Sequence, residues 1–244
     1  MKKILLTFSL IGIIGCSENN DCFSNKGKEV FRFEHLDNFN RLDIPKNIKL
    51  QIVPSNQYKI EIYSFENFIN SIDYKVVDEE LIINNNYSCS ILHSYENAFI
   101  KIYTPTLTEI NSKTQHQIFS LDTLRYPKIR LLNNMISQSG STHFNLLLNN
   151  DYVYVQDNQV ALFELKGKTK FLDIKLFGAN PIVNAKHLKT DTIVFYHRSN
   201  QNIHVQPLKI LSGTIASTGN VISYNKPDSV LVDKLYKGDL IYSE

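Results

Sequence analysis

The sequence predicts an all-β fold, a parallel β-helix-like solenoid with a β-hairpin-rich region on its N-terminal side. Apolar and polar residues alternate over short runs from Phe31 to Tyr103, the pattern of strands with one buried face. Beyond Pro105, similar runs recur about every 20 residues and are separated by polar corners. No window between Phe31 and Tyr103 sustains the spacing of an amphipathic helix.

The first fifteen residues have the pattern of a secretory signal peptide. Lys2 and Lys3 precede a mainly apolar run from Ile4 to Ile14, which is too short to span a bilayer as a helix. The following Gly15-Cys16 pair resembles a bacterial lipobox, in which cleavage leaves cysteine as the acylated first residue. We therefore expect residues 1–15 to be removed and Cys16 to be the lipid anchor, with an ordinary secretory peptide as the alternative.

Residues 16–29 predict a flexible tether, because they are polar and carry no periodicity. Glu18 and Asp21 lie just after the proposed anchor and resemble the surface-export signal of Bacteroidetes lipoproteins. We expect a cell-envelope protein of the outer membrane, with the surface face favoured over the periplasmic face. The folded domain would then cover residues 30–244.

The N-terminal part of this domain, residues 30–106, predicts strands and hairpins. Residues 47–53 and 58–63 alternate on either side of the short segment "PSNQ", which favours a hairpin between them. Further strands are expected at the runs "YKVV", "ELIINN" and "AFIKIYTP", and a short helical turn in "FENFINSI".

The C-terminal part, residues 107–244, predicts stacked coils. Leucines open short strand-like runs at intervals of about 20 residues, namely at Leu107, Leu124, Leu146, Leu165, Leu188 and Leu208. Stacking of one coil on the next would place inward aliphatic residues in a continuous column. An antiparallel sandwich is the alternative, since it uses strands of similar length.

Three blocks of the sequence resemble the head-GIN domain family of auto-transporter adhesins, which is widespread in Bacteroidetes lipoproteins and has long been called a domain of unknown function. The blocks are "VDEELIINN" with Leu81 and Ile83, "IYTPTLTEI" with Pro105 and Leu107, and a terminal block with Gly219, Val221, Tyr224 and Pro227. The resemblance runs from about Phe31 to the end of the chain. It implies a right-handed solenoid, while several glycine corners of the family pattern are replaced here, as in "KGKT" and "RSNQ".

The net charge bears on the class of binding partner, and the cysteines bear on a possible disulfide. The formal charge of +2 comes from Lys2 and Lys3, so the rest of the chain is neutral, which argues against nucleic acid as a partner. Besides Cys16 the chain has Cys22 and Cys89, and the sequence leaves open whether they form a disulfide.

No residue pattern predicts a catalytic, metal or cofactor site. The seven histidines lack helical zinc spacing, and His116, His143 and His197 are expected at solvated corners. A polysaccharide lyase or glycosidase is the enzymatic alternative, and it would need clustered carboxylates. Asp151 and Asp173, or Asp173 and Asp191, could stack in neighbouring coils.

A non-enzymatic binding or adhesion function fits the pattern better, because a solenoid displays a long surface whose outward residues are free to vary. Tyr152, Tyr154, Tyr196 and Arg198 are the candidate binding residues, since exposed aromatic and arginine side chains anchor glycans or proteins. The expected partners are the membrane, through the N-terminal lipid, and a glycan or protein ligand. A structural scaffold of the envelope is a further alternative.

Overall fold

The computed structural model describes residues 26–86, 98–134 and 141–243, and almost all of its regular structure is β-strand. One turn of 3-10 helix lies at Ile69–Ser71, within the segment where a helical turn is expected. The described strands are β1 (Glu29–His35), β2 (Arg41–Ile44), β3 (Ile48–Pro54), β4 (Lys59–Phe65), β5 (Ile72–Val77), β6 (Glu80–Asn85), β7 (Ala98–Thr104), β8 (Glu109–Ser112), β9 (Gln117–Ser120), β10 (Lys128–Asn133), β11 (Thr142–Asp157), β12 (Ala161–Leu176), β13 (Ile182–His197), β14 (Ile203–Ile215), β15 (Val221–Ser223), β16 (Ser229–Lys234) and β17 (Leu240–Tyr242).

The strands form a parallel solenoid of about six turns, as the sequence predicts. Each coil contributes one segment to each of two ladders of hydrogen-bonded strands, and the long strands β11 to β14 bend to serve both. Ladder 1 is β5, β6, β2, β8, β10, the second halves of β11 to β14, and β16. Ladder 2 is β1, β4, β7, β3, β9, the first halves of β11 to β14, β15 and β17.

The core is one apolar cluster enclosed by both ladders. Alternate residues of each strand point inward, so β11 alternates buried and partly exposed positions over most of its length. Phe144 and Phe163 stack in the core with ring centroids 4.9 Å apart and planes 5° from parallel. The described coils therefore surround a continuous apolar core, and their outward side chains are available for other contacts.

The coil length is set by register and not by the leucines alone. Tyr152 pairs with Phe171, 19 residues later, and Phe171 pairs with Thr192, 21 residues later. Irregular register between neighbouring strands absorbs such differences. Five of the six repeat leucines are buried, whereas Leu208 is 39% exposed, so its assignment to the core repeat is wrong.

The N-terminal region is rich in antiparallel pairs, but the hairpin predicted between β3 and β4 is wrong. Strand β3 pairs in parallel with β7 and β9, while β4 pairs antiparallel with β1 and β7. Strand β7 therefore lies between β3 and β4. The hairpin that does form joins β5 to β6 through Asp78 and Glu79, whose positive φ angles of 50° and 60° suit a tight hairpin turn.

Buried polar groups occupy one corner of the coils. Asn133 donates to Asp157 over 2.9 Å, and Thr142 lies 3.1 Å from both Asn133 Oδ1 and the Ser112 hydroxyl. Burial raises the pKa of Asp157, and the Asn133 hydrogen bond offsets part of that rise. Two coils further along, His197 is fully buried, so the expectation of a solvated corner is wrong for this residue.

Several sequence predictions fall outside the described residues. The signal peptide, Cys16, Cys22 and Cys89 all lie there. Within the described part, no helix is both long and apolar enough to cross a membrane.

Candidate functional site

The two tyrosines of β11 point outward from ladder 1. Tyr152 and Tyr154 are partly exposed, while Val153 and Val155 between and beside them are buried. This follows from the two-residue period of a strand, which sends alternate side chains to opposite faces. The β-strand therefore fixes both rings on the same surface.

Parallel register places an aromatic ring and a carboxylate from the next coil beside these tyrosines. Tyr152 stacks on Phe171 with centroids 5.6 Å apart, and its hydroxyl lies 3.4 Å from Asp173. Phe171 and Asp173 follow Tyr152 and Tyr154 by 19 residues each. Phe171 and Asp173 were not predicted as part of the site, but counting one coil period forward from the two tyrosines would have identified them.

A guanidinium group from the preceding coil completes one end of the surface. Arg130 lies over the Tyr154 ring, 5.3 Å from its centroid, and pairs with Glu109 at 2.5 Å. The Tyr154 hydroxyl donates to Gln156 over 2.7 Å. Arg130 was not among the residues predicted from the sequence, because only the register of β10 against β11 brings it here.

The electrostatics keep the phenols neutral. Burial raises the pKa of Tyr152, and the nearby Asp173 carboxylate raises it further. Burial and Asp173 act in the same direction on the pKa of Tyr154. Asp173 forms an ion pair with Lys175 at 3.0 Å, so the surface offers hydrogen-bond donors and acceptors with its charges paired.

Tyr196 and Arg198 lie on the same side of the molecule, at the rim of this surface. Tyr196 is in register with Lys175 and packs against Phe177 with centroids 5.6 Å apart. Arg198 follows the end of β13 and lines a hollow of about 230 Å³ together with Phe177 and Asn200. We call the combined surface the tyrosine face; it comprises Arg130, Tyr152, Tyr154, Phe171, Asp173, Lys175, Tyr196 and Arg198.

The geometry of the tyrosine face favours edge contacts over ring stacking. Phe171 covers one face of the Tyr152 ring, and Arg130 covers one face of the Tyr154 ring. The surface therefore presents hydroxyls and ring edges, the ion-paired Arg130, Asp173 and Lys175, and the exposed Arg198 at its rim. Such a mixture of tyrosine and arginine is typical of protein-binding surfaces.

The carboxylates proposed for an enzymatic site do not stack on one another. Asp173 is in register with Tyr154 and not with Asp151. Asp151 pairs with Lys170 at 2.8 Å, and Asp191 pairs with Lys209 at 2.8 Å. Among the residues that the structure describes, no three histidine, cysteine or acidic side chains gather into a potential metal site.

A second concave surface lies where three loops meet at the corner of the coils. This cleft has a volume of about 600 Å³ and contains Asn56, Asp122, Arg125 and the edge of Tyr126. Tyr126 is buried and its hydroxyl donates to the Thr104 carbonyl over 3.3 Å. The cleft is polar and does not include the candidate binding residues Tyr152, Tyr154, Tyr196 and Arg198.

Several solved structures have a similar fold. A structure from Bacteroides fragilis described as a "putative adhesin" has a TM-score of 0.79 at 17% identity, and the match covers 88% of this chain and 97% of that one. One from Parabacteroides distasonis, described as a "Putative lipid binding protein", has a TM-score of 0.63 at 13% identity, with 89% and 98% covered. One from Parabacteroides merdae, also described as a "putative adhesin", has a TM-score of 0.62 at 14% identity, with 89% and 97% covered.

Comparison with curated proteins gives no match. The sequence profile of one family, described as "Putative auto-transporter adhesin, head GIN domain", matches residues 38–227. That match spans most of the chain and includes all the strands from β2 to β15. The chain therefore belongs to the head GIN domain family.

Proposed function

We propose that this chain is an envelope lipoprotein whose solenoid binds a partner protein through the tyrosine face, without catalysis. The observation that carries the proposal is the convergence of Tyr152, Tyr154 and Tyr196 on one side of ladder 1, with Arg130 beside them. The adhesin description of the family and of two similar structures supports a binding role. A flat face with partly covered rings favours a protein partner over a glycan. Binding of a glycan is the alternative result, and the test below can detect it.

The test is a binding array of proteins and glycans probed with a soluble fragment that begins at Lys26. We expect hits that weaken at least about tenfold when Tyr152 and Tyr154 are both changed to alanine, since hot-spot residues contribute more than about 1.4 kcal/mol. Tyr236→Ala is the matched control, because Tyr236 is 58% exposed and lies at the far C-terminal end. Equal binding by the double variant would refute the assignment of the tyrosine face.

The envelope location rests on the sequence around Cys16. Two or more acyl chains on this cysteine would hold the protein stably on a bilayer. We expect Cys16→Ala to release the protein from the membrane fraction, whereas Cys22→Ala, a cysteine six residues later in the tether, should leave it there. Membrane retention of the Cys16→Ala protein would count against lipidation.

A further inference from the structure

A row of aromatic rings crosses the outward face of ladder 2 near its N-terminal end. Phe31 stacks on Tyr63 with centroids 5.6 Å apart, and Tyr63 stacks on Phe99 at the same distance. Phe99 reaches over β3 to Phe119, 6.2 Å away. The row therefore joins β1, β4, β7 and β9 into one aromatic surface.

This surface is unusually open to solvent at its β1 end. Phe31 is 60% exposed and Phe33 is 57% exposed. A groove of about 540 Å³ lies beside them, and Tyr63, Phe65 and Phe99 contribute to its walls. Among the described strands β1 pairs only with β4, so the patch formed by Phe31, Phe33, Tyr63, Phe65 and Phe99, the aromatic patch, sits at the edge of the sheet.

Charges of both signs border the aromatic patch, including Glu29 in the groove and two lysines near Glu61. Glu61 pairs with Lys59 at 2.7 Å and accepts hydrogen bonds from the Tyr63 and Tyr103 hydroxyls over 2.8 and 3.1 Å. Lys59 in turn lies 3.9 Å from the centroid of the Tyr103 ring. Phenylalanine, tyrosine and lysine in such an arrangement suit the boundary between lipid headgroups and acyl chains.

The position of the patch matches the side from which the chain enters the fold. The described chain begins at Lys26, whose ammonium lies 5.3 Å from the centroid of the Phe65 ring. Twelve residues lie between Cys16 and Glu29, and the thirteen steps from one to the other reach at most about 45 Å when extended. The opposite end of ladder 2, at β17, lies ten strand spacings from β1, about 48 Å away.

We propose that the aromatic patch docks onto the lipid bilayer and inserts Phe31 and Phe33 into its interfacial region. This inference rests on the proposed lipid anchor, since an anchor at Cys16 would hold this end of the solenoid close to the membrane. The occupant of the patch is the bilayer itself, recognised through apolar burial and not through net charge. Docking orients the solenoid so that the tyrosine face, which belongs to the other ladder, points away from the lipid.

The natural sequence contains no tryptophan, so a single introduced tryptophan reports its own surroundings. The acylated chain that begins at Cys16 and carries Phe33→Trp is reconstituted in phosphatidylcholine vesicles, with or without brominated phosphatidylcholine as a quencher. We expect a blue-shifted emission and roughly twofold quenching by the brominated lipid. Leu231→Trp is the matched control, because Leu231 is 68% exposed on β16 at the other end, and its emission should remain red and unquenched.

The outcomes separate the docking from the anchor. Vesicle flotation reports the anchor: a chain with Cys16 that does not float refutes the anchoring on which the docking rests. A chain that floats while Phe33→Trp stays as red and unquenched as Leu231→Trp overturns the docking and leaves the anchor standing. Blue-shifted emission without quenching would indicate a second protein copy on the patch and would also overturn the proposal. Phe31→Trp serves as a second reporter if Phe33→Trp does not fold.

Discussion

Replacement of the buried His197 should abolish much of the acid sensitivity of the fold. His197 is fully buried between the register partners Leu176 and Ile215, and neither ring nitrogen makes an aligned hydrogen bond to the described residues. Burial lowers its pKa from 6.5 to about 4, the value that results although the backbone of Gly219 acts in the opposite direction. His197→Leu introduces an apolar side chain, similar to those of its register partners Leu176 and Ile215.

The sign and size of the effect follow from linkage between protonation and folding. Because the pKa of His197 is lower in the folded than in the unfolded chain, the unfolded chain binds the proton more readily. The contribution of neutral His197 is complete above about pH 6.5 and is lost as the pH falls toward 4. The difference between the two pKa values corresponds to about 3 kcal/mol of unfolding free energy.

The assay is urea unfolding followed by circular dichroism at pH 7.5 and at pH 4. Between pH 7.5 and pH 4, we expect the free energy of unfolding of the wild-type chain to fall by about 3 kcal/mol more than that of His197→Leu. His35→Leu is the control, because His35 is exposed on β1, and its loss should equal that of the wild type. Parallel losses in the wild type and His197→Leu would refute the reasoning, since they would mean that this histidine is not held neutral in the fold.

Two further predictions concern the packing of the coils. Gly167 has φ of 115°, and a Cβ atom there would lie 2.1 Å from the Leu148 carbonyl oxygen. Gly167→Ala should therefore lower the free energy of unfolding by at least about 3 kcal/mol, while Lys168→Ala at the exposed neighbour should change it little; equal urea midpoints would contradict the clash. Phe163→Ala should lower the free energy of unfolding by about 3–5 kcal/mol, because it opens a cavity beside Phe144. Leu162→Ala, at an outward position, is the control. If Phe163→Ala lowers the free energy of unfolding no more than Leu162→Ala does, the core has collapsed into the cavity and the prediction is wrong.

Most strands could be predicted from the local sequence, because a strand with one buried face alternates apolar and polar residues. Strands β5, β6 and β7 begin and end within two residues of the predicted runs, and the parallel coils follow from the period near 20 residues. The sequence offers Tyr152, Tyr154 and Tyr196 as candidate binding residues but cannot say which aromatics of these runs face the core; the structure leaves all three partly exposed on ladder 1. The residues that complete this face required the exact register of neighbouring coils.

Non-local pairing was beyond the reach of local pattern. The segment after β3 looks like a hairpin loop, yet β7, more than forty residues later, takes the place beside β3. A parallel pairing of this kind leaves no turn signal near the strand it replaces. His197 was misplaced for a related reason: its polar neighbours in sequence suggest a corner, and only the stacking of coils shows that the corner is closed.

The order of coils along the stack differs from their order along the chain. Strands β2 and β3 precede β6 to β9 in the chain, yet β6 and β7 pair with them on one side and β8 and β9 on the other. This pair therefore lies inside the stack, with parallel neighbours on both sides. At the N-terminal end the stack is bounded by the antiparallel strands β4 and β5, whereas at the C-terminal end β16 and β17 still pair in parallel with the preceding coil. A duplicated coil could therefore be added at the C-terminal end without changing the pairing of β2 and β3.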